Sequence, residues 1–305
     1  MNDPAPELIH WENDGIRLTA ERWDAGPGAE TVLLLHGGGQ TRHSWKRTAE
    51  RLARRGRTAI ALDARGHGDS DWHPRGDYTL DGFVGDLLAL MRTIEVKPVL
   101  VGASLGGITS LTVAGEHNDL VRALVLVDIV VHPEMSGVKR ITTFMTAHRD
   151  GFASLEEVAD AIAAYNPLRP RPASLDGLRK NVRLHEDGRW YWHWDPEFMR
   201  IDDEPQRHVA PGRLARAAET LTIPTLIVRG RQSDMVSDAA IEDMQRLVPH
   251  AETADVSAAG HMVAGDDNDV FTARLEGFLD AVSESLGAQA TQVTQSQAPS
   301  QADGA

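Results

Sequence analysis

The sequence predicts an α/β protein: a mostly parallel β-sheet with helices on both faces, interrupted by one large insertion. Three observations carry that prediction. Short apolar runs rich in β-branched residues (31–35, 58–62, 97–101 and 121–127) have the continuous hydrophobicity of strands buried on both faces. Segments with helical apolar spacing alternate with them, as right-handed βαβ crossovers require. Between residues 132 and 221 that rhythm stops, and it resumes with the apolar run 224–228.

Taken in order, residues 8–11 and 16–23 flank Asn13-Asp14-Gly15 and read as a β-hairpin. Strand 31–35 ends in His36-Gly37-Gly38-Gly39, and helix 44–55 closes at Gly56, a suitable C-cap. Strand 58–62 leads into Asp63-Ala64-Arg65-Gly66-His67-Gly68-Asp69-Ser70, whose polar side chains brace that loop by hydrogen bonds. An amphipathic helix spans 79–94, with Phe83, Leu87, Leu90, Met91 and Ile94 on one face. Strand 97–101 and helix 108–117 follow, then strand 121–127. Residues 132–221 read as a helical lid with helices at 137–149, 155–165 and 175–184 and an aromatic patch, Trp190-Tyr191-Trp192-His193-Trp194. Strand 224–228, helix 238–247, strand 252–256 and helix 268–286 complete the sheet. The expected organisation is a core in two parts, 1–131 and 222–287, a lid at 132–221, and a disordered tail at 288–305 rich in Ala, Gln, Ser and Thr.

Composition narrows the function. The 305 residues carry 31 Lys and Arg against 45 Asp and Glu, a net charge of -14, which argues against nucleic acid and anionic membranes as partners. With no cysteine, thiolate chemistry, disulfides and Cys-based zinc sites are excluded. The first residues lack the basic and apolar regions of a signal peptide, and the apolar run 123–131 contains Asp128 and is too short to span a bilayer. A cytoplasmic protein is expected.

One stretch carries chemistry. Gly102-x-Ser104-x-Gly106 lies where a buried strand turns into a helix, the arrangement that lifts a serine hydroxyl above a sheet edge. Such a hydroxyl needs a base, and the base a carboxylate to orient it. Asp234 and His261 follow strands 224–228 and 252–256 and so reach the same edge. Ser104 is therefore expected as nucleophile, His261 as general base and Asp234 as the orienting carboxylate, with Asp128 at the end of strand 121–127 as the alternative acid. Two amides are expected to hold an oxyanion: Leu105 N–H, just after the nucleophile, and Gly38 N–H, with Gly39 the second choice. His36 is expected to be structural, its ring bonded to loop backbone. Trp45, Trp192 and Trp194 are candidate pocket residues, although core packing would place them equally well. His185, His193 and Asp195 fit no familiar ligand spacing, so no metal is expected.

His36-Gly37-Gly38-Gly39, Asp63-x-Arg65-Gly66-His67-Gly68-x-Ser70, Gly102-x-Ser104-x-Gly106-Gly107 and Gly260-His261, in that order, resemble the marks of the α/β-hydrolase superfamily over residues 7–286. The resemblance implies a doubly wound eight-stranded sheet, a helical cap after the sixth strand, and hydrolysis through an acyl-enzyme without a cofactor. Within the superfamily the chain is similar to the capped group of esterases, lactonases, haloperoxidases, C–C bond hydrolases and epoxide hydrolases. Ser104 stands where epoxide hydrolases and haloalkane dehalogenases carry aspartate, which argues against those two reactions. The expected substrate is a small, apolar carboxylic ester or lactone. A perhydrolase or haloperoxidase-like reaction, or C–C bond hydrolysis with the same triad, is the alternative. Met262-Val263-Ala264-Gly265 lacks the aromatic residue associated with C–C hydrolases. A ligand receptor on the same scaffold is the reading from a different class, and oligomeric state is left open.

Overall fold

The structure, a computed structural model, describes residues 5–166, 171, 175–200, 209–257, 260 and 269–296. Among these, eight strands form one sheet in the order β1-β2-β4-β3-β5-β6-β9-β10. β1 (Glu7–Asn13) and β2 (Ile16–Trp23) are the expected hairpin, and β2 pairs antiparallel with β4 (Thr58–Asp63). The other pairings, through β3 (Thr31–Leu35), β5 (Val99–Ala103), β6 (Ala123–Val127), β9 (Thr225–Gly230) and β10 (Glu252–Val256), are all parallel. The expected mostly parallel, eight-stranded α/β architecture is therefore present.

Alternation within each strand divides the core. Leu33 and Leu35 of β3 face one layer, built by α2 (Leu80–Met91), α3 (Leu105–Glu116), α6 (Pro211–Glu219) and α7 (Asp238–Leu247). Val32 and Leu34 face the other, built by α1 (Lys46–Arg54) and α8 (Asp269–Ser296). Every residue of β3, β4, β5 and β6 is buried, which explains why these strands lack polar alternation. Trp45 belongs to the α1/α8 layer, fully buried with its ring 5.9 Å from that of Phe271. The pocket role considered for Trp45 is thereby corrected. It is the last residue of the turn Arg42–Trp45 that leads into α1, which carries its side chain beneath the sheet.

The insertion is less helical than expected. α4 (Met135–Thr146) and α5 (Leu155–Tyr165) form, the latter capped by Ser154, whose hydroxyl accepts from Glu157 N–H. The helix expected at 175–184 is instead a 3-10 turn, Asp176–Lys180, followed by β7 (Val182–Leu184), which pairs antiparallel with β8 (Trp190–Trp192). Asp187-Gly188, with Gly188 at φ 78°, sits in the connecting turn. α6 lies inside the boundary drawn for the insertion, yet Leu214, Ala217 and Ala218 join the core. A Cβ at Gly115 of α3 would lie 2.2 Å from the Ala217 carbonyl oxygen, so the α3 and α6 backbones touch. Helix α8 continues to Ser296, into the tail expected to be disordered; alanine and glutamine, which favour helix, dominate there. Residues 297–305 lie outside the described residues. No helix among the described residues is long and apolar enough to cross a membrane.

Candidate active site

Ser104 sits between β5 and α3 at φ 46° and ψ -115°, a conformation non-glycine residues rarely adopt. The flanking glycines make it possible. A Cβ at Gly102 would fall 2.3 Å from the Gly106 carbonyl oxygen, and one at Gly106 would fall 2.4 Å from that of Leu35. Backbone at such distances cannot yield, so both positions exclude a side chain. The strand thus turns sharply into α3, and Ser104 stays half-buried at the sheet's carboxyl edge.

Ser104 lines an apolar cavity of about 660 Å³ together with Leu105, Gly38, Trp192 and Trp194. α4 supplies Ile141 and Met145, and the core supplies Ile108 and Ile129. Trp192 and Trp194 stack at 4.8 Å with planes 12° apart. The Trp192 indole N–H is buried without an acceptor among the described residues. Neither the Leu105 amide nor the Gly38 amide has a hydrogen-bond acceptor among the described residues. Gly39 N–H, by contrast, donates to His67 Nε2 at 3.0 Å. That separates the two glycine candidates, because an amide already bonded to an imidazole is not free for an oxyanion.

His36 is structural, as expected: its Nδ1–H donates to the Gly37 carbonyl at 2.8 Å and Nε2 accepts from Ala64 N–H at 3.0 Å. Burial pushes its pKa down to about 4. The loop after β4 is braced in the same manner. Asp63 accepts from Arg42 N–H at 2.7 Å and Asp69 N–H at 3.0 Å, and Arg65 forks onto Asp86 at 2.6 and 2.7 Å.

His261 lies outside the described residues. The two candidate acids have different surroundings. Neither lines the cavity, and the Asp234 carboxylate is ion-paired with Arg140 of α4 at 3.0 Å. Asp128 follows β6 directly, 1% exposed, at φ 51°. Its carboxylate accepts from Gly230 N–H at 3.0 Å and Ser233 Oγ at 2.6 Å. β6 is hydrogen-bonded to β5, and the Ser104 amide donates to Val127 O, one residue before Asp128, at 3.3 Å. The positive φ is the feature that sequence could not reveal.

In the sequence His193 and Asp195 stand out only as possible metal ligands. Both bind the core loop after β4 instead. His193 Nδ1 accepts from Gly68 N–H at 2.9 Å, Asp195 N–H donates to Gly66 O at 2.9 Å, and the Tyr78 hydroxyl donates to the Asp195 carboxylate. The closeness of His193 to the Arg65-Gly66-His67-Gly68 motif has no signal in their sequence separation.

A family model described as alpha/beta hydrolase fold matches residues 30–267. Esterase Rv0045c of Mycobacterium tuberculosis is 30% identical over 294 residues, 92% of this chain and 91% of that protein. A crystal structure of that esterase matches with a TM-score of 0.72 over 92% of this chain and 93% of its own. The 2-(acetamidomethylene)succinate hydrolase of Mesorhizobium japonicum is 27% identical over 87% of this chain and 93% of that protein. A crystal structure of E-2-(acetamidomethylene)succinate hydrolase matches with a TM-score of 0.77, covering 90% of this chain and 100% of that one, at 27% identity.

Proposed function

This chain belongs to the alpha/beta-hydrolase fold family, and on that premise we propose that it is a cofactor-independent serine hydrolase acting on carboxylic esters or lactones of small, apolar molecules. The observation that carries the reading is Ser104, held in a strained turn on the wall of an apolar cavity where two amides lack acceptors among the described residues. Relatives named as an esterase and a hydrolase of an acetamidomethylene succinate support hydrolysis as the reaction class.

Ser104 Oγ attacks the substrate carbonyl while His261 takes its proton. The Leu105 and Gly38 amides receive the negative oxygen of the tetrahedral intermediate. Because they need no reorganisation, they stabilise that charge more than water does. His261 then protonates the departing alkoxide, and the acyl-enzyme is hydrolysed by water that His261 activates. The insertion acts as a lid whose Trp192 and Trp194 shape the pocket.

The orienting carboxylate in this reading is Asp128 rather than Asp234. Its burial, its place beside Ser104 across β5 and β6, and its Gly230 and Ser233 bonds favour a fixed carboxylate at the reacting edge. The Arg140 pair makes Asp234 a lid anchor. Turnover of p-nitrophenyl butyrate tests the scheme. Ser104→Ala should abolish it with the fold intact. Asp128→Asn should lower kcat about 10³–10⁴-fold by misorienting the imidazole, while Asp234→Asn should cost less than about tenfold. The reverse order would return the acid role to Asp234, and undiminished turnover in Ser104→Ala would refute the mechanism.

A further inference from the structure

The peptide unit that carries the Gly38 amide is fixed from its other end. In a trans peptide the Gly37 carbonyl and the Gly38 N–H point opposite ways. That carbonyl accepts from His36 Nδ1–H at 2.8 Å and from Gln40 N–H at 3.1 Å. The Gly38 N–H is thereby turned away from the core loop. Gly39 follows at φ 74° and is gripped on both of its polar atoms. Its N–H donates to His67 Nε2 at 3.0 Å, and His67 Nδ1–H donates to Arg65 O at 3.0 Å. Its carbonyl accepts from His193 Nε2–H at 3.3 Å, and His193 Nδ1 accepts from Gly68 N–H at 2.9 Å.

His36 and His67 belong to the core, but His193 arrives on the segment after β8. The three imidazoles form a buried group, with ring centroids 5.4 Å apart for His36 and His67 and 5.9 Å for His67 and His193. Each uses one nitrogen to donate and the other to accept, which only the neutral ring can do. Residues of the insertion also close the outer side of the loop. Positions where Gly38 and Gly39 would carry Cβ atoms lie 3.4 Å from Phe198, 3.1 Å from Met145 and 3.3 Å from Trp194.

We propose that His193 is a positioning residue of the oxyanion hole, supplied by the lid: its bond to the Gly39 carbonyl fixes the peptide whose Gln40 N–H bonds the Gly37 carbonyl, and so adds to the core bonds that hold the Gly38 amide in register. The inference rests on the hydrolase reading above. Docking itself does not depend on the imidazole, because Asp195 anchors the same segment to Gly66 and Tyr78. Substitution at His193 therefore separates positioning from folding.

The test compares His193→Ala, His193→Gln and His193→Asn with the parent, using p-nitrophenyl butyrate, an aryl trifluoromethyl ketone and thermal melting. The ketone forms a tetrahedral adduct with the serine and so reports the hole directly. In His193→Ala, kcat should fall about 10- to 100-fold with KM changed less than about threefold, and ketone affinity should fall in parallel. Glutamine, whose amide donor reaches the place of Nε2, should recover more activity than asparagine, which reaches only that of Nδ1. A kcat within about threefold of the parent, or a loss unaccompanied by weaker ketone binding, overturns the proposal. Should His193→Ala fail to fold, equal activities for glutamine and asparagine overturn it. A parent chain that turns over no ester removes the hydrolase reading and this inference together; an active parent with unchanged variants removes this inference alone.

Discussion

Ser104 is strained and its neighbours are not. Holding a serine at φ 46° costs on the order of 1–3 kcal/mol, and the glycines at 102 and 106 let the surrounding backbone close enough to enforce it. His36 shows a second local cost. Folded His36 stays neutral down to about pH 4, whereas an unfolded histidine takes up a proton near 6.5. Its folded pKa is depressed, so its contribution to stability is fully present above pH 6.5 and is lost as pH falls towards 4. Buried His193, held well below the ordinary value mainly by desolvation, acts in the same direction. Urea midpoints measured from pH 7.5 down to 4.5 should decline more steeply in the parent than in His36→Gln, with a site contribution of about 3 kcal/mol at most. Parallel slopes would remove His36 from the acid response.

At the scale of elements, the insertion is where expectation and structure diverge. Val182, Arg183 and Leu184 fit a helical pattern taken alone, but pairing with Trp190–Trp192 across Asp187-Gly188 makes them a strand. Three residues are too few for periodicity to separate the two states, and the turn was the stronger signal. α4 shows how closely the insertion meets the core. A Cβ at Gly137 would lie 2.5 Å from the Asp234 carbonyl oxygen, while Glu134 N–H donates to Met235 O at 2.9 Å. Gly137→Ala should push α4 off that loop at a cost of about 1–3 kcal/mol and, because α4 walls the cavity, raise KM severalfold with a smaller effect on kcat. Thermal melting and steady-state kinetics on one ester series check both halves.

Over the whole molecule, α8 is joined to α1 and the segments beside it by charge as well as by apolar packing. Glu276 of α8 is 3% exposed and accepts from Arg51 at 2.7 and 2.8 Å, and Arg55 of the segment after α1 lies 2.9 Å away. Arg57 similarly bridges Glu30 at 2.6 Å and Asp280 at 2.7 Å. The net charge of -14 says nothing of this belt, because its arginines are spent on buried or half-buried acids. Glu276→Leu leaves Arg51 and Arg55 able to rehydrate, so the expected loss is about 1–2 kcal/mol rather than the larger cost of an isolated buried charge. Equilibrium urea unfolding measures it. A loss near zero would mean that the Glu276 pairs add nothing to the packing of Phe271, Leu275, Phe278 and Leu279 and the Arg57 bridge to Asp280.

By itself the sequence determined the sheet and the elbow. Strands buried on both faces must be continuously apolar, and a strained serine needs glycine two residues to either side, so both leave marks that local pattern can read. It also pointed to the Gly38 and Gly39 amides as the candidates for a second oxyanion donor. Tertiary structure gave the Gly39 amide to His67, moved Trp45 beneath the sheet, and set Asp234 on Arg140 while burying Asp128 beside Ser104's strand. Those outcomes depend on which distant backbone a side chain meets, a property of packing rather than of spacing along the chain.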